Sequence, residues 1–327
     1  MGITVGRLWH HPVKSMRGEV VDEVTLGPGG LVGDRAYGLL DLDSGRLLSA
    51  KRPKRYGPLL DCTARFVSPP RPDAPMPPVR VTLPDGTVVE GDAGHGDEIA
   101  KAVSELLNRD VCLVSSVPEG STYDTIWPDF SGSAEFLAGM RQDEPEDGGE
   151  ALYGVPPGIG APGTLLDLAA LHVLCTSTLD GYRSEHPDGV WDDRRFRPNI
   201  VFDDGPAPAD RPSDRFTEDE WMGCDLMIGD SVRVHVVAPT LRCPMPTLPQ
   251  GEDLPRDVGI LRTVNRLGKR QLGELGTFPC VGAYAEVVVP GVIRTGDPVT
   301  VTETIARDSA LAAAVEMIGA GMRAAKG

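Results

Sequence analysis

Glycine and proline interrupt this chain so often that long unbroken elements are excluded over most of its length. Its 327 residues include 39 Gly and 30 Pro. They fall at turn signals such as Gly27-Pro-Gly-Gly30, Asp43-Ser-Gly45 and Pro84-Asp-Gly86. Between the turns lie short runs in which apolar and polar residues alternate, the period of a half-buried strand. Ser231-Val-Arg-Val-His-Val-Val237 is the clearest, with Val232, Val234 and Val236 set against Arg233 and His235. Short strands with turns between them suggest a small barrel or curled sheet. The expected class is mainly β with some α (α+β).

The length suggests two domains or one large elaborated one. Residues 1–117 read as a first β-barrel-like module, with strands at 61–67, 79–83, 87–90 and 111–114 and a helix at 97–108. Residues 118–163 read as a Pro/Gly-rich linker with an acidic loop at 143–150, and 164–305 as a second β module. The Ala-rich 306–327 reads as an amphipathic helix docked on the surface. A net charge of −16 argues against a general nucleic-acid binder, which needs clustered Lys and Arg. No apolar run approaches the roughly eighteen residues of a membrane span, and the N-terminus enters a strand pattern at once. A cytoplasmic protein without membrane partners is expected.

Cysteines stand at 62, 112, 175, 224, 243 and 280, without Cys-x-x-Cys, zinc or iron–sulfur spacing. Scattered thiols fit a reducing compartment. A lone Cys in an apolar context is usually a packing residue, but Cys243 has particular neighbours. It follows the 231–237 strand, with Arg242 before it and Pro244 and Pro246 after it. The arginine favours the thiolate, the form that attacks electrophiles and binds metals, and the prolines restrict the loop. Other polar groups lie where apolar runs end: Lys14 with Ser15 and Arg17; Asp34-Arg35; Thr176-Ser-Thr178; and Arg197 with Asn199. Together they would suit an anionic heterocyclic ligand. Singly each is accounted for by structure, the Thr-Ser-Thr run as a helix N-cap, and spacing alone does not bring them together.

These residues resemble the MOSC family, in its two-domain branch with an N-terminal β-barrel. That branch includes the mitochondrial amidoxime-reducing component and bacterial reductases of N-hydroxylated bases. Pro12-Val-Lys-Ser15, Gly33-Asp-Arg35 and Ala50-Lys-Arg52 carry the likeness in the first module. In the second it rests on Arg195-Phe-Arg-Pro-Asn-Ile-Val201, Glu220-Trp221, Ile228-Gly-Asp230, Arg242-Cys243 and Gly296-Asp-Pro-Val299.

The resemblance implies a molybdenum cofactor (Mo-molybdopterin) held between the two barrels, with Cys243 as the protein thiolate on the metal and the catalytic residue. Lys14, Ser15, Arg35, Thr176, Ser177, Arg197, Asn199 and Arg242 would bind the pterin or its phosphate. The activity implied is reduction of small N-hydroxylated or N-oxide compounds by an oxidoreductase. Three departures bear on it. The chain ends in an Ala-rich helix where bacterial relatives carry a ferredoxin-like extension, so electrons are expected from a separate ferredoxin- or flavin-type protein. The membrane-targeting N-terminus of the mitochondrial relatives is missing. Pro244–Gln250 and the 143–150 insert also differ, which bears on substrate range. A sulfur carrier or sulfurtransferase with a persulfide on Cys243, and a non-catalytic cofactor-binding module, are the competing readings.

Overall fold

Alternation of the kind seen at 231–237 builds the centre of the molecule. The structure is a computed structural model and describes residues 2–126, 140–141, 151–207, 212, 214–304 and 306–317. The central strands are β1 (Ile3–His10), β2 (Leu171–Cys175), β3 (Ile200–Asp203), β4 (Cys224–Ile228), β5 (Val232–Leu241), β6 (Thr277–Val289) and β7 (Pro298–Thr304). They pair in the order β2–β3–β1–β7–β4–β5–β6, and β6 pairs back onto β2, closing a barrel. Every pair is antiparallel except β2 with β3, which the helix α1 (Thr176–Glu185) connects as a crossover.

Closure requires coiled strands, and register shifts along the β5–β6 ladder supply the bends. Gly282 lies where β6 meets β2: its φ is +74°, and a Cβ there would sit 2.4 Å from the Val173 carbonyl oxygen. Val232, Val234 and Val236 point into the core as their alternation predicts. His235, on the opposite phase, is buried as well, because Asp225 on β4 meets its Nδ1 at 2.8 Å.

Pairing crosses the module boundary expected at 117. Val5 and Leu8 of β1 pack in the barrel core, and Glu23–Gly27 pairs with Gly291–Arg294. The rest of the first module has its own core, which includes Val13, Met16, Tyr37, Ile99 and Val103. It is built on the sheet Thr63–Phe66, Val79–Thr82, Val88–Gly91 and the pair Gly38–Asp41 with Val111–Val114. The expected helix runs over Asp97–Leu107 and ends at Asn108, whose left-handed φ of +49° caps it.

The described part of 118–163 is wall as well as connection. Tyr123–Ile126 and Leu152–Val155 form a buried antiparallel pair, while the acidic loop at 143–150 lies outside the described residues. A helix over Val258–Leu267 buries Ile260, Leu261, Val264 and Leu267 and is capped by Asp257, which accepts from Gly259 N at 2.7 Å. Of the C-terminal segment, 310–317 is helical, with Leu311 and Ala314 buried. Ser309 Oγ accepts from Ala312 N at 3.0 Å and opens it. No helix among the described residues is long and apolar enough to cross a membrane.

Candidate functional site

Strand ends converge at one mouth of the barrel. The chain leaving β1 brings Lys14 and Ser15, the approach to β2 brings Asp167 and the start of β2 His172, the approach to β3 brings Arg197 and Asn199, and the exit of β5 brings Cys243. The first module covers this mouth with Arg35, Ser49 and Lys51, and the 118–163 stretch adds Tyr123. The cavity between them measures about 1120 Å3 with its open mouth included. Barrel mouths and module junctions are common places for ligand pockets.

Backbone strain concentrates here. Among the described residues, the non-glycine residues with positive φ are Ser15 (+69°), Arg35 (+48°), Arg197 (+56°) and the helix cap Asn108, so all of these but the cap line the cavity. Strain of this kind is retained only where the surroundings enforce it, and it gathers at functional sites. Ser15 Oγ accepts from Ala50 N at 3.0 Å, which locks the Lys14 loop to the Lys51 loop.

The polar wall has a cationic and a carboxylate part. Lys14 Nζ donates to Asp167 Oδ1 at 2.5 Å and to the Leu165 carbonyl at 2.8 Å. Lys51 Nζ lies 2.8 Å from Asp167 Oδ2 and donates to Tyr123 Oη at 3.3 Å. Both ammonium groups stand over the Tyr123 ring, at 4.6 and 4.7 Å from its centroid. Burial alone would raise the Asp167 pKa, yet the two lysines hold it well below the carboxylate range. At Lys14 burial prevails and lowers the pKa; at Lys51 burial is outweighed, by Asp167 foremost, and the pKa is raised.

Arg35 pairs with Asp34 and reaches the Arg197 carbonyl at 3.3 Å. Arg197 donates to the Met16 carbonyl at 2.7 Å, and burial followed by the charge of Arg35 pushes its pKa down to about 9. Its Nη2, Asn199 Nδ2 and Thr240 Oγ1 are buried without a hydrogen-bond partner. Buried polar groups are nearly always paired, so unpartnered donors lining a cavity mark where a ligand with acceptor atoms would complete them. Asn199 is oriented for this by its Oδ1, which accepts from His172 N at 2.9 Å.

Cys243 lines the same cavity at 9% exposure, in an apolar cluster with Leu241, Met245 and Leu248. All six cysteines are free thiols. Among the described residues no group of three or more His, Cys, Asp or Glu could hold a metal alone. A metal at Cys243 would have to bring its other ligands with it. Arg242 lines the cavity too, but its guanidinium is engaged with the carbonyls of Phe196 (3.0 Å) and Val281 (2.5 Å) and with His172. Its charge is near the thiol, while its hydrogen bonds tie β5 to β6.

Of the residues singled out in the sequence, Lys14, Ser15, Arg35, Arg197, Asn199, Arg242 and Cys243 meet at this cavity. Thr176 and Ser177 do not. They open α1, at the opposite end of β2 from Asp167 and His172, where the Thr176 hydroxyl and Ser177 N donate to Asp204 Oδ1 at 3.1 and 3.0 Å. Ser177 Oγ also meets Thr217 at 3.0 Å. The N-cap position is Cys175, so Thr176–Thr178 form the first turn of the helix, and it is the Asp204 carboxylate that accepts from the Ser177 N–H there. Lys51, Tyr123, Asp167, His172 and Tyr284 are cavity residues that sequence reasoning missed. A signal existed for Lys51, which lies within Ala50-Lys-Arg52.

Beside Thr176 a buried carboxyl gives a pH prediction. Glu218 accepts from Cys175 N at 2.6 Å and from the Thr178 hydroxyl, yet burial raises its pKa from 4.5 to about 7. The native state therefore binds the proton more tightly than the unfolded chain. This contribution is full below pH 4.5 and declines as pH rises to 7, a loss on the order of 3 kcal/mol. Glu218→Gln should flatten that part of the stability profile and raise stability at pH 8, read from urea midpoints between pH 5 and 8. An unchanged profile would assign the pH dependence elsewhere.

The sequence matches the MOSC domain over residues 162–300 and the MOSC N-terminal beta barrel domain over residues 2–56. No curated protein matches it. Among solved structures it is similar to the YuaD protein of Bacillus subtilis, at 10% identity and a TM-score of 0.40, covering 92% of this chain and 96% of that one. It is also similar to YiiM of Escherichia coli, at 17% identity and a TM-score of 0.29, covering 45% of this chain and 60% of that one. YiiM of Geobacillus stearothermophilus is 16% identical with a TM-score of 0.28, covering 55% of this chain and 81% of that one.

Proposed function

Because the chain belongs to the MOSC family, whose domain binds the molybdenum cofactor in general, we propose that it is a molybdenum-cofactor-dependent reductase of N-hydroxylated or N-oxide compounds. The observation that carries the reading is the joint placement of Cys243 with the unpartnered Arg197 Nη2 and Asn199 Nδ2 in one cavity. The donor set fits such a group: one soft thiol for a metal that arrives with its own ligands, and cations for a phosphate.

When bound, the cofactor supplies two-electron oxygen-transfer chemistry that no side chain here can perform. The net reaction takes an N–OH compound, two electrons and two protons to the N–H compound and water. Electrons come from a separate electron-transfer protein of ferredoxin or flavin type. Cys243 would be the protein ligand to the metal. Arg197, Arg35, Lys14 and Ser15 would hold the phosphate, and Asn199 would offer its amide N–H to the heterocycle. Arg242 acts at one remove, by fixing the strand end that presents Cys243. Leu165, Leu166, Met245 and Pro246 are among the apolar residues that line the cavity.

Protein from a host that makes the cofactor should contain about one Mo per chain and reduce benzamidoxime with an artificial electron donor. Protein without Mo and with cyanolysable sulfur on Cys243 would overturn this reading in favour of the sulfur carrier. Bound Mo with no turnover from any reductant would make it a cofactor-binding module.

A further inference from the structure

The Lys14–Lys51 pair is built as an anion subsite, but a carboxylate of the chain itself already satisfies it. Asp167 gives one oxygen to each ammonium, at 2.5 and 2.8 Å. The lysine side chains are 6% and 10% exposed, whereas that of Asp167 is 37% exposed. Asp167 is therefore the most exposed member of the cluster, and its two oxygens occupy the ammonium groups from that side. It sits in the irregular stretch leading to β2, held by the backbone bonds Gly158 N to Leu166 O and Gly160 N to Leu168 O, at 2.6 and 2.7 Å. The lysines are held from behind by Leu165 O and Tyr123 Oη, so removing the carboxylate does not release them.

We infer that Asp167 sets which anions the pocket admits, as an internal counterion that a phosphate-like dianion displaces and a simple carboxylate does not. This deepens the proposed function by assigning a selectivity residue to the phosphate end of the pocket. A tethered carboxylate acts at high effective concentration. A free monocarboxylate exchanges like for like against it and gains nothing. A phosphate brings a second charge and a third oxygen, and in the same cavity it meets Arg197 Nη2, which lacks a partner. Lys14 and Lys51 thus serve as a filter on charge as well as a binding surface.

The test uses the cofactor-free full chain, so its outcome does not depend on molybdenum or turnover. Calorimetry at low ionic strength would compare inorganic phosphate and acetate on the wild type, Asp167→Asn and the double variant Asp167→Asn/Lys51→Met. Wild type should bind phosphate and not acetate. Asp167→Asn should bind phosphate on the order of tenfold more tightly and gain measurable acetate binding, and the double variant should lose most of both gains. Equal phosphate affinity in wild type and Asp167→Asn, or acetate binding by the wild type, would overturn the inference. Hydrogen exchange of the wild-type 164–170 segment gives an independent reading should the variants fail to fold. Saturating phosphate should speed its exchange as Asp167 is released, and unchanged or slower exchange would equally refute it.

Discussion

Under the proposed function, Cys243→Ala should give a protein that folds and unfolds like the wild type but lacks its benzamidoxime reduction. The variant removes a single sulfur from a site of 9% exposure, so its stability cost should be about 1 kcal/mol. The activity loss belongs to a different scale. Partners that merely orient a metal's ligands cost about 10–100-fold when mutated, and loss of the ligand itself should exceed that, on the order of a thousandfold. Cys243→Ser separates sulfur chemistry from shape, because the hydroxyl nearly fills the space but offers a hard oxygen in place of a soft thiolate. Both variants should keep the wild-type far-UV spectrum and urea midpoint, with Mo content reduced or its absorption altered. Retention of more than about a tenth of wild-type turnover by either would mean that the thiol does not ligate the reacting metal.

Much of the fold could be read from periodicity because its cause is local. Val232, Val234 and Val236 face one way in any strand, and Asp97–Leu107 buries its apolar stripe in any helix. Barrel closure is not local. Nothing in Ile3–His10 says that it lies between two strands some 200 and 300 residues away, because the alternation of Val5 and Leu8 fits any sheet face. The helix at Val258–Leu267 had its signature in the sequence, an Asp cap and apolar residues at helical spacing, in a region otherwise punctuated like a loop.

The site divides in the same way. Cys243, Arg197 and Asn199 were legible because each adjoins a strand and a distinctive motif. Asp167 was not: it sits in Leu165-Leu-Asp-Leu168, where a single acid reads as a surface position. Its meaning comes from Lys14 and Lys51, 153 positions away in one case. Tyr123 lay in a stretch whose composition says linker, and composition does not reveal that its ring faces two buried ammonium groups. Thr176 and Ser177 show the opposite failure. Hydroxyls at a strand–helix junction suit an anion and a helix start equally well, and here Asp204 takes them for the second purpose.

Arg195→Ala should be strongly damaging, and its damage should centre on the loop that follows Cys243, beside the cavity that Arg195 itself lines. Arg195 is 1% exposed and makes no ion pair among the described residues. Its guanidinium spends its donors on backbone carbonyls: Val190 at 2.8 Å, Pro246 at 3.0 Å, Leu248 at 3.3 Å and Pro255 at 2.8 Å. Proline withholds its own N–H from this loop, so the arginine takes the place of a sheet partner in fixing its carbonyls. Truncation leaves the Pro246 and Leu248 carbonyls buried and unpaired, at a cost of about 2–5 kcal/mol. Arg195→Lys keeps the charge but cannot span carbonyls on three separate segments with one ammonium, and should still cost about 2 kcal/mol. Urea unfolding measures the loss, and maleimide labelling resolved by mass spectrometry locates it. If the loop is the element released, Cys243 should label faster in both variants while Cys175 and Cys280, buried in the barrel strands, keep their wild-type rates. Uniform acceleration at every cysteine would instead make Arg195 a support of the whole barrel. A wild-type rate at Cys243 would remove it from any part in presenting the thiol.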